Sequence, residues 1–502
     1  MLSMGLKYLR GCSLGSESSM GLRLGCTYDF KKGGVVRMKK LHKKTAVVGS
    51  MTGVLAVLAA GCGTSSGQTS TATNQTAAGS ASVKMVDGLP LPQYNGKATL
   101  TWWSWVPNAQ KEVDIFEKYY PNIKVHLVDA GAGATEYQKF STVIQAGSGI
   151  PDVVMLEFDV MPEYIATGAL QDISPWVSQL KSRFTPWTWN QVSVGSHVYG
   201  IPEDTGPMGL FYQSSLFNKY HLKVPTTWSQ FQQEALEFHK LDPSKYFSYF
   251  SNNDGQWMFG LLWQAGCVPF QGSGNNWKVD IDSPKAVQVF SMWQKLVKAG
   301  AVQSIAAGSP EWQKNINAGL YATAVGSAWY DSEILVPYDH NLSVHKWRAA
   351  FIPEWTPGDT MDGDWGGSVQ AVTKATKYPE AAAIFAAFIN AAPAELAHDV
   401  APAKDGGGGL FPAATAGFDI PSFKQPNPAL DNQPANVDVF EKESPRVNTK
   451  FQWSPWSSYV FNELQTEIGK AFSGKESVQQ ALANVQQAVV NYARSQGYNV
   501  TT

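Results

Sequence analysis

The stretch AGSGIPDVVMLEFDVMPEYIATGALQDIS, residues 146–174, decides the fold of this chain. From Pro151 it runs through PDVVMLEF, a continuous apolar run of strand length that follows a Gly-Ser-Gly turn. A helical pattern begins at Met161 and ends at Gly168. The stretch therefore predicts a buried strand that leads directly into a helix.

The residues before this stretch extend the same alternation. ATLTWWSW from Ala98 is a short β-rich run, an amphipathic segment covers residues 109–120, and NIKVHLVDA from Asn122 alternates as a strand does. Residues 135–146 place Tyr, Phe, Val and Ile at helical spacing. Strand, helix, strand, helix, strand with short turns is a βαβ pattern, so the sequence predicts a parallel α/β fold.

Length and composition narrow the class of protein. A single hydrophobic core stops growing near roughly 250–300 residues, so a chain of 502 residues is expected to form at least two lobes. Hydrophobic residues make up 44% and charged residues 16%, which excludes a disordered or multi-span membrane protein. The first 61 residues hold ten of the 39 Lys/Arg and two of the 41 Asp/Glu, so the remainder carries a formal net charge of −10. An acidic body argues against nucleic-acid binding.

The N-terminal region has the pattern of an export signal. From Met38, MKKLHKKTAVVGSMTGVLAVLAAGC joins a positive segment, an apolar segment and small residues that precede Cys62. Residues 38–61 are therefore predicted to be a secretory signal peptide. A transmembrane anchor is the alternative, although the apolar run is short for a span. Residues 1–37 are expected to be a mis-annotated leader, and residues 62–96 a flexible, Gly/Ser/Thr-rich spacer.

The Ala-Ala-Gly-Cys ending resembles a bacterial lipobox, which implies that Cys62 is lipidated and tethers the exported protein to the outer face of the cytoplasmic membrane. Leu58 lies one position further from the cysteine than is usual in that motif. A spacer with a tether favours a Gram-positive surface, and a lipidated periplasmic protein is the alternative. Apart from Cys62, the mature chain would keep only Cys267, which is expected to be a small buried residue.

Five segments, taken in order, resemble a known family. They are TWWSW from Thr101, residues 146–174, YGIPEDTGPMGLFYQSSLFNKY from Tyr199, NAGLYATAVGSAWY from Asn317 and DWGGSVQAVTKATKYPEAAAIFAAFI from Asp364. Their order and spacing resemble the bacterial extracellular solute-binding proteins of family 1, the sugar-binding type that serves ABC transporters. The resemblance covers the chain from about residue 97 to its end, and the lipoprotein signal agrees with it independently.

The resemblance implies a fold like that of the periplasmic binding proteins, with two discontinuous α/β lobes joined by a hinge and a ligand cleft between them. Crossovers between the lobes are expected near residues 206–207, 318–319 and 371–372. The expected lobes are 97–206 plus 319–371, and 207–318 plus 372–502. The family further implies a carbohydrate ligand that is captured rather than converted, two permease subunits with their ATPase, a monomer, and no cofactor.

Aromatic side chains are the first group of candidate ligand contacts, because sugar C–H faces pack on flat rings with a hydrogen-bonding edge. Trp103 and Trp105 share one side of the first strand, although core packing is the alternative for both. By resemblance, stacking aromatics are expected at Trp329, Tyr330 and Trp365. Trp257 follows the Asn-Asn-Asp-Gly turn at residues 252–255 and is expected to line the second lobe.

Carboxylates and glycines form the second group. Glu157 and Asp159 end the strand from Pro151 and offer acceptors for sugar hydroxyls, and helix capping is the alternative for Asp159. Asp204 precedes the first crossover, where the alternative is a turn-forming role. Gly366 and Gly367 are expected to let backbone N–H groups approach a ligand.

Other classes of function are less well supported. The eight histidines show no metal-ligand spacing, so no metal site is expected. The glycine run 406–409 is expected to be a mobile loop near the cleft and lacks the ending of a phosphate loop. A secreted glycoside hydrolase remains the enzyme alternative, since two carboxylates about 5–10 Å apart suffice for hydrolysis. A peptide, polyamine, iron or phosphate binder is the third hypothesis, and the 18 tryptophans favour sugar over it.

Overall fold

The computed structural model describes residues 83–502. The expectations for the leader, the signal peptide, Cys62 and most of the spacer therefore lie outside the described residues. Among residues 83–502 no single helix is long and apolar enough to cross a bilayer. Within the described part of the chain, one pair of helices, 379–391 and 393–399, meets the length and composition criteria together, with a 60° bend between its halves.

The strands of the described chain are short. They are β1 (Val83–Val86), β2 (Leu89–Pro92), β3 (Ala98–Trp103), β4 (Ile123–Val128), β5 (Val153–Glu157), β6 (Ser193–Val194), β7 (His197–Val198), β8 (Gly200–Pro202), β9 (Met208–Gln213), β10 (Ser248–Ser251), β11 (Phe270–Ser273), β12 (Asn276–Val279), β13 (Val302–Ile305), β14 (Thr323–Ser327), β15 (Trp347–Phe351), β16 (Ser368–Val372) and β17 (Asn499–Thr501).

The helices range from single turns to 18 residues. They are α1 (Gln110–Tyr119), α2 (Ala134–Ala146), α3 (Met161–Ala166), α4 (Ser174–Val177), α5 (Pro186–Gln191), α6 (Ser214–Tyr220), α7 (Trp228–Leu241), α8 (Gly255–Gln264), α9 (Pro284–Lys298), α10 (Pro310–Asn317), α11 (Val336–Tyr338), α12 (Leu342–His345), α13 (Pro379–Ala391), α14 (Pro393–Asp399), α15 (Glu441–Glu443), α16 (Ser457–Phe472) and α17 (Val478–Ser495).

The first lobe is built on a five-stranded sheet with the order β4-β3-β5-β16-β8. Strands β3, β4 and β5 are parallel, as the alternation of strands and helices predicts, and β16 returns antiparallel between β5 and β8. Strand β5 is buried on both faces until its last residue, which explains why it reads as an unbroken apolar run. Helix α13 is buried over residues 381–391 because it packs on β16, β8, α1 and α4.

The second lobe has its own sheet. Strand β9 pairs antiparallel with β14 on one side and β15 on the other. The parallel pair β10–β13 continues this sheet beyond β14, because the amide of Thr323 donates to the Phe247 carbonyl at 2.7 Å. The long C-terminal helices α16 and α17 pack on each other and on α9. Cys267 is buried in this lobe, as expected, and has no disulfide partner among residues 83–502.

The lobe boundaries differ from the expected ones in the second half of the chain. Residues 319–371 were assigned to the first lobe, but β14 and β15 pair with β9 in the second. Residues 372–502 were assigned to the second lobe, but α13 packs on the first. The chain returns to the first sheet between β15 and β16, rather than near 318–319 or 371–372. Local periodicity identifies strands but does not tell which of two sheets a strand joins, so this error has a physical origin.

Candidate functional site

The facing edges of the two sheets meet along a seam. On the first lobe, the seam lies where β3, β5 and β8 end and β16 begins, with Glu157 directly opposite Ser368 in the β5–β16 pair. On the second lobe, it lies where β10 and β14 end. The chain passes between the lobes after β8 and again before β16. These two crossings are hydrogen-bonded to each other, because the amide of Trp365 donates to the Gly206 carbonyl at 2.9 Å. In an open α/β sheet, ligands bind at such strand ends.

Two carboxylates of the first lobe face the second lobe across this seam. Glu157 accepts a hydrogen bond from the Tyr137 hydroxyl at 2.9 Å. Asp159 is buried and accepts one from the Gln256 amide of α8 at 3.3 Å, which joins the two lobes. Burial raises the pKa of Glu157 to about 7, and it raises the pKa of Asp159 well above its usual range. Both side chains are therefore hydrogen-bonding groups in poorly solvated surroundings, which favour the protonated carboxyl.

Two further carboxylates complete the acidic part of the seam. Asp204 accepts from the Ser368 amide at 2.8 Å and also from the Ser368 hydroxyl. Asp254 caps α8 by accepting from the Trp257 amide at 2.8 Å, and burial raises the pKa of Asp254 to about 6. None of the ion pairs among residues 83–502 involves any of the four seam carboxylates, which are Glu157, Asp159, Asp204 and Asp254. The seam therefore offers uncompensated acceptors.

A pair of tryptophans forms the aromatic part of the seam. The rings of Trp329 and Trp365 lie 4.4 Å apart between centroids, at an interplanar angle of 51°. The Trp329 indole N–H and the Ser327 hydroxyl both donate to the Trp365 carbonyl, at 3.0 and 2.8 Å. Trp329 is half-buried, and Trp365 is only 8% exposed. A ring face of Trp365 would reach a ligand only when the lobes separate.

The backbone conformation after Trp365 requires glycine at positions 366 and 367. Gly366 has φ +94° and Gly367 has φ +87°, a region that side chains other than glycine rarely adopt. A Cβ on Gly366 would lie 2.9 Å from the Trp329 indole nitrogen, and one on Gly367 would lie 2.7 Å from the Phe158 ring. The two glycines therefore permit the close packing of the crossover against both lobes.

Trp105 is the one tryptophan of the first strand segment that stays accessible. It is half-buried, and its ring packs edge-on against Tyr137 at 6.1 Å between centroids. Tyr137 in turn binds Glu157. Trp105 therefore lies beside the acidic part of the seam, where it can add a third aromatic face.

Three candidate residues are packed in the interior instead. Trp103 is 9% exposed and packs on Phe140 under the first sheet. Trp257 is 1% exposed, and its indole N–H donates to the Val325 carbonyl at 2.9 Å. Tyr330 is fully buried and shares a hydrogen bond with the Tyr249 hydroxyl at 3.0 Å. Their rings complete the lobe cores, which is the competing role of any large aromatic residue next to a strand end.

Sequence reasoning missed three polar residues of the seam. Tyr137 was identified only as a helix-core position, and the structure shows its hydroxyl on Glu157. Asp254 and Gln256 lie at the start of α8, in the run NNDGQW that follows β10. The sequence did contain a signal for Asp254 and Gln256, because an Asn/Asp/Gly-rich turn after a strand marks a candidate ligand-binding loop.

A separate cavity of about 430 Å³ is lined by residues of both lobes, and none of the seam residues described above lines it. Its first-lobe wall includes Pro162 and Ile165 of α3, the helix that follows Asp159. The second-lobe wall is rich in aromatic and amide side chains. These include Asn275, Trp277, Gln452, Trp453 and Tyr498. A wall of rings and amides suits a polar ligand that also has apolar faces.

Comparison with protein-family models gives a match over residues 91–395, to the bacterial extracellular solute-binding proteins. The chain belongs to this family. The match covers more than half of the chain and includes both sheets, and the predicted family and fold class are thereby confirmed.

Proteins with related sequences include sugar-binding proteins. The chain is 22% identical over 311 residues to the arabinooligosaccharide-binding protein of Bacillus subtilis, covering 59% of this chain and 69% of that protein. It is 22% identical over 333 residues to the lactose-binding protein of Rhizobium radiobacter, covering 63% and 76%.

A solved structure agrees with the fold. The ABC-transporter-associated binding protein of B. animalis subsp. lactis Bl-04, in complex with β-1,6-galactobiose, aligns with a TM-score of 0.68 and 26% identity. The alignment covers 81% of this chain and all of that one. The family member described here therefore shares the two-lobed fold of a binding protein solved with its sugar.

Proposed function

We propose that this family member captures a neutral saccharide of two or more units in the seam between its lobes. The observation that carries the proposal is the combination of the Trp329–Trp365 pair with uncompensated carboxylates across the same seam. Aromatic faces match the C–H faces of a sugar ring, and carboxyl groups hydrogen-bond its hydroxyls, most strongly when they are ionised. The sugar ligands of the relatives point to the same class.

We further propose that the protein is the substrate-binding component of an ABC importer, which delivers its ligand to two permease subunits driven by an ATPase. In this role the ligand is captured and released without a chemical step. The relatives are binding proteins rather than enzymes, which supports this role. The seam residues proposed to bind are Trp105, Glu157, Asp159, Asp204, Trp329, Trp365, Gly366 and Gly367.

Export and membrane attachment are part of the same proposal. Residues 38–61 would direct export, and lipidation of Cys62 would tether a monomer to the outer face of the cytoplasmic membrane. Mass spectrometry of the N-terminal peptide tests this, because a diacylated Cys62 has a distinct mass. A C62S variant recovered in the soluble extracellular fraction would support the tether. An unmodified, uncleaved N-terminus would contradict it.

A thermal-shift screen of the exported protein tests the ligand class. The panel contains mono- and oligosaccharides, peptides, polyamines and metal ions. A ligand at about 100 times its dissociation constant stabilises the folded state by roughly 2.7 kcal/mol, which raises the unfolding midpoint by several degrees. Shifts confined to saccharides would support the proposal. If only peptides or polyamines raise the unfolding midpoint, the family assignment stays intact but the proposed saccharide ligand is refuted.

A further inference from the structure

A cluster of ligand-type side chains lies in the first lobe, apart from the tryptophan pair and near Asp204 of the seam. Glu112 comes from the first turn of α1, and His398 and Asp399 come from the end of α14. One ligand atom from each of the three residues lies within 4.8 Å of the other two. These residues are almost 300 positions apart in sequence, and for that reason histidine spacing alone predicted no metal site.

The polar atoms of this cluster are buried and lack partners in the protein. Glu112, Glu395, His398 and Asp399 are each at least nine-tenths buried. Five of their atoms have no hydrogen-bond partner: Glu112 Oε1, both Glu395 carboxylate oxygens, His398 Nε2 and Asp399 Oδ1. Buried polar atoms are almost always satisfied, so five orphans in one place indicate a missing ligand.

Charge around the cluster is strongly negative. The carboxyl groups of Asp399, Glu203 and Glu395 are close enough to Glu112 to repel its negative charge. Asp87 and Asp204 also face the group and add to the repulsion. The nearby cations are Lys111 and Lys118.

Neither lysine neutralises the cluster. Lys111 donates to the Gly406 carbonyl at 2.6 Å, and among residues 83–502 neither lysine forms an ion pair with the buried acids. Several carboxylates thus share one dry pocket without a compensating charge. Such a group is costly unless a cation or protons neutralise it.

The glycine run 406–409 lies directly over this cluster. Its amides bond back to the end of α14, with Gly408 donating to the His398 carbonyl at 3.0 Å and Leu410 to the Asp399 carbonyl at 2.8 Å. A Cβ on Gly407 would lie 2.1 Å from the Ala401 carbonyl oxygen, so only glycine fits. The run is therefore a tight cover that holds His398 and Asp399 in place.

We propose that Glu112, His398 and Asp399, with Glu395 beside them, bind one divalent transition-metal ion. One imidazole with two or three carboxylates is a nitrogen-and-oxygen donor set, which suits Zn²⁺ or Mn²⁺ better than Ca²⁺, whose ligands are oxygens. The ion would neutralise the pocket, satisfy the orphan atoms and fix α1 against α14. This site is independent of the sugar proposal.

The test uses the protein purified from cells that express and export the full-length chain, stripped with EDTA. Zinc chloride alone is titrated by calorimetry, and the unfolding midpoint is followed in parallel. We expect one site per chain and a midpoint raised by roughly 3 °C at about 100 times the dissociation constant, reversed by EDTA. Manganese is expected to compete, and calcium to bind at least tenfold more weakly.

Matched variants separate this site from surface binding. Glu112→Gln and Asp399→Asn keep side-chain size and remove a ligand charge, so each is expected to weaken zinc binding at least tenfold. Glu136→Gln is the control, because Glu136 is an equally buried carboxyl with both oxygens unpartnered, on α2. It is expected to bind zinc as the wild type does.

Two kinds of result would overturn the proposal. The first is a stoichiometry far below one per chain, or equal binding by wild type and Asp399→Asn, which means adventitious zinc. The second is a zinc X-ray absorption spectrum that shows sulfur ligands, which would place the ion elsewhere in the protein. The spectrum is measured on the wild type, so it decides the question even if a variant fails to fold.

Discussion

At the scale of single residues, Glu157 connects the electrostatics of the seam to its proposed use. Burial raises its pKa to about 7, while the Tyr137 hydroxyl stabilises the ionised form. The nearby charges of Asp204 and Asp254 act in the same direction as burial. Its protonation state therefore changes within the physiological range.

The first prediction concerns the pH dependence of sugar affinity. The ionised Glu157 carboxylate accepts a sugar hydroxyl better than the neutral acid, so affinity is expected to rise several-fold between pH 6 and 8. Glu157→Gln should remove most of this rise, and Glu163→Gln, a half-buried acid on α3, should keep it. Calorimetric titrations at several pH values measure both. An unchanged pH profile in Glu157→Gln would contradict this role.

The raised pKa of Glu157 also affects folding. Sugar affinity is expected to rise with pH, whereas the stability that Glu157 contributes falls with pH. A carboxyl with a folded pKa near 7 and an unfolded value near 4.5 holds its proton more tightly in the folded state. Its contribution to folding is therefore lost as the pH rises from about 4.5 to 7. In the sugar-free protein, Glu157→Gln should raise stability by about 1–2 kcal/mol at pH 8 and much less at pH 4.5. Urea unfolding at the two pH values measures the difference, and an equal effect at both would refute it.

The third prediction concerns the aromatic platform. Trp365→Ala should lower sugar affinity at least tenfold, because the substitution removes the large aromatic surface on which the sugar ring would stack. Trp176→Ala is the control, since Trp176 is a half-buried tryptophan on α4, whereas Trp365 is buried at the seam. Calorimetry measures both, and circular dichroism shows that the variants are folded. Equal affinities would exclude Trp365 from the site.

At the scale of elements, the strands that are buried or regularly alternating were predictable from sequence. β3, β4 and β5, with α1 and α2 between them, lie where the apolar patterns placed them. The partner of β14 was not predictable. It pairs with β9, and a short apolar strand carries no local signal of its neighbour.

The fourth prediction tests the crossover that joins the lobes. Gly366→Ala and Gly358→Ala both place alanine at positive φ, at +94° and +87°. Only the first brings a Cβ to within 2.9 Å of Trp329; around Gly358 no atom lies within 4 Å. Both should lose about 1–2 kcal/mol of stability, but only Gly366→Ala should weaken sugar binding. Chemical unfolding and calorimetry measure the two effects. Equal loss of affinity in both variants would mean that backbone strain, not the contact with Trp329, is responsible.

At the scale of the whole molecule, the two-lobed α/β fold was predictable from the order of five segments, and much of the seam was not. The first-lobe carboxylates follow their strands closely, so strand ends predicted them. The partners Asp254 and Gln256 meet them only through the packing of α8 across the seam. Which aromatic residues fill a core and which reach a surface depends on the same tertiary packing, as the interior position of Trp257 shows.

The fifth prediction concerns movement of the lobes. Trp365 is nearly buried while the lobes are in contact, so ligand entry requires the hinge to open and capture requires it to close. Small-angle scattering should show a smaller radius of gyration with a saturating sugar than without it. Trp365→Ala at the same sugar concentration should show little change. Identical scattering curves for the wild type with and without bound sugar would contradict closure by ligand.

The most direct test of sugar capture is calorimetric titration of the exported protein with neutral oligosaccharides, followed by chromatography of the recovered sugar. We predict one binding site per chain for at least one class of oligosaccharide, and a ligand that is recovered with its length unchanged. Shortened sugar would support the hydrolase alternative, with Glu157 and Asp159 as its acids. No binding of any saccharide, with binding of a peptide or polyamine instead, would contradict the proposed ligand.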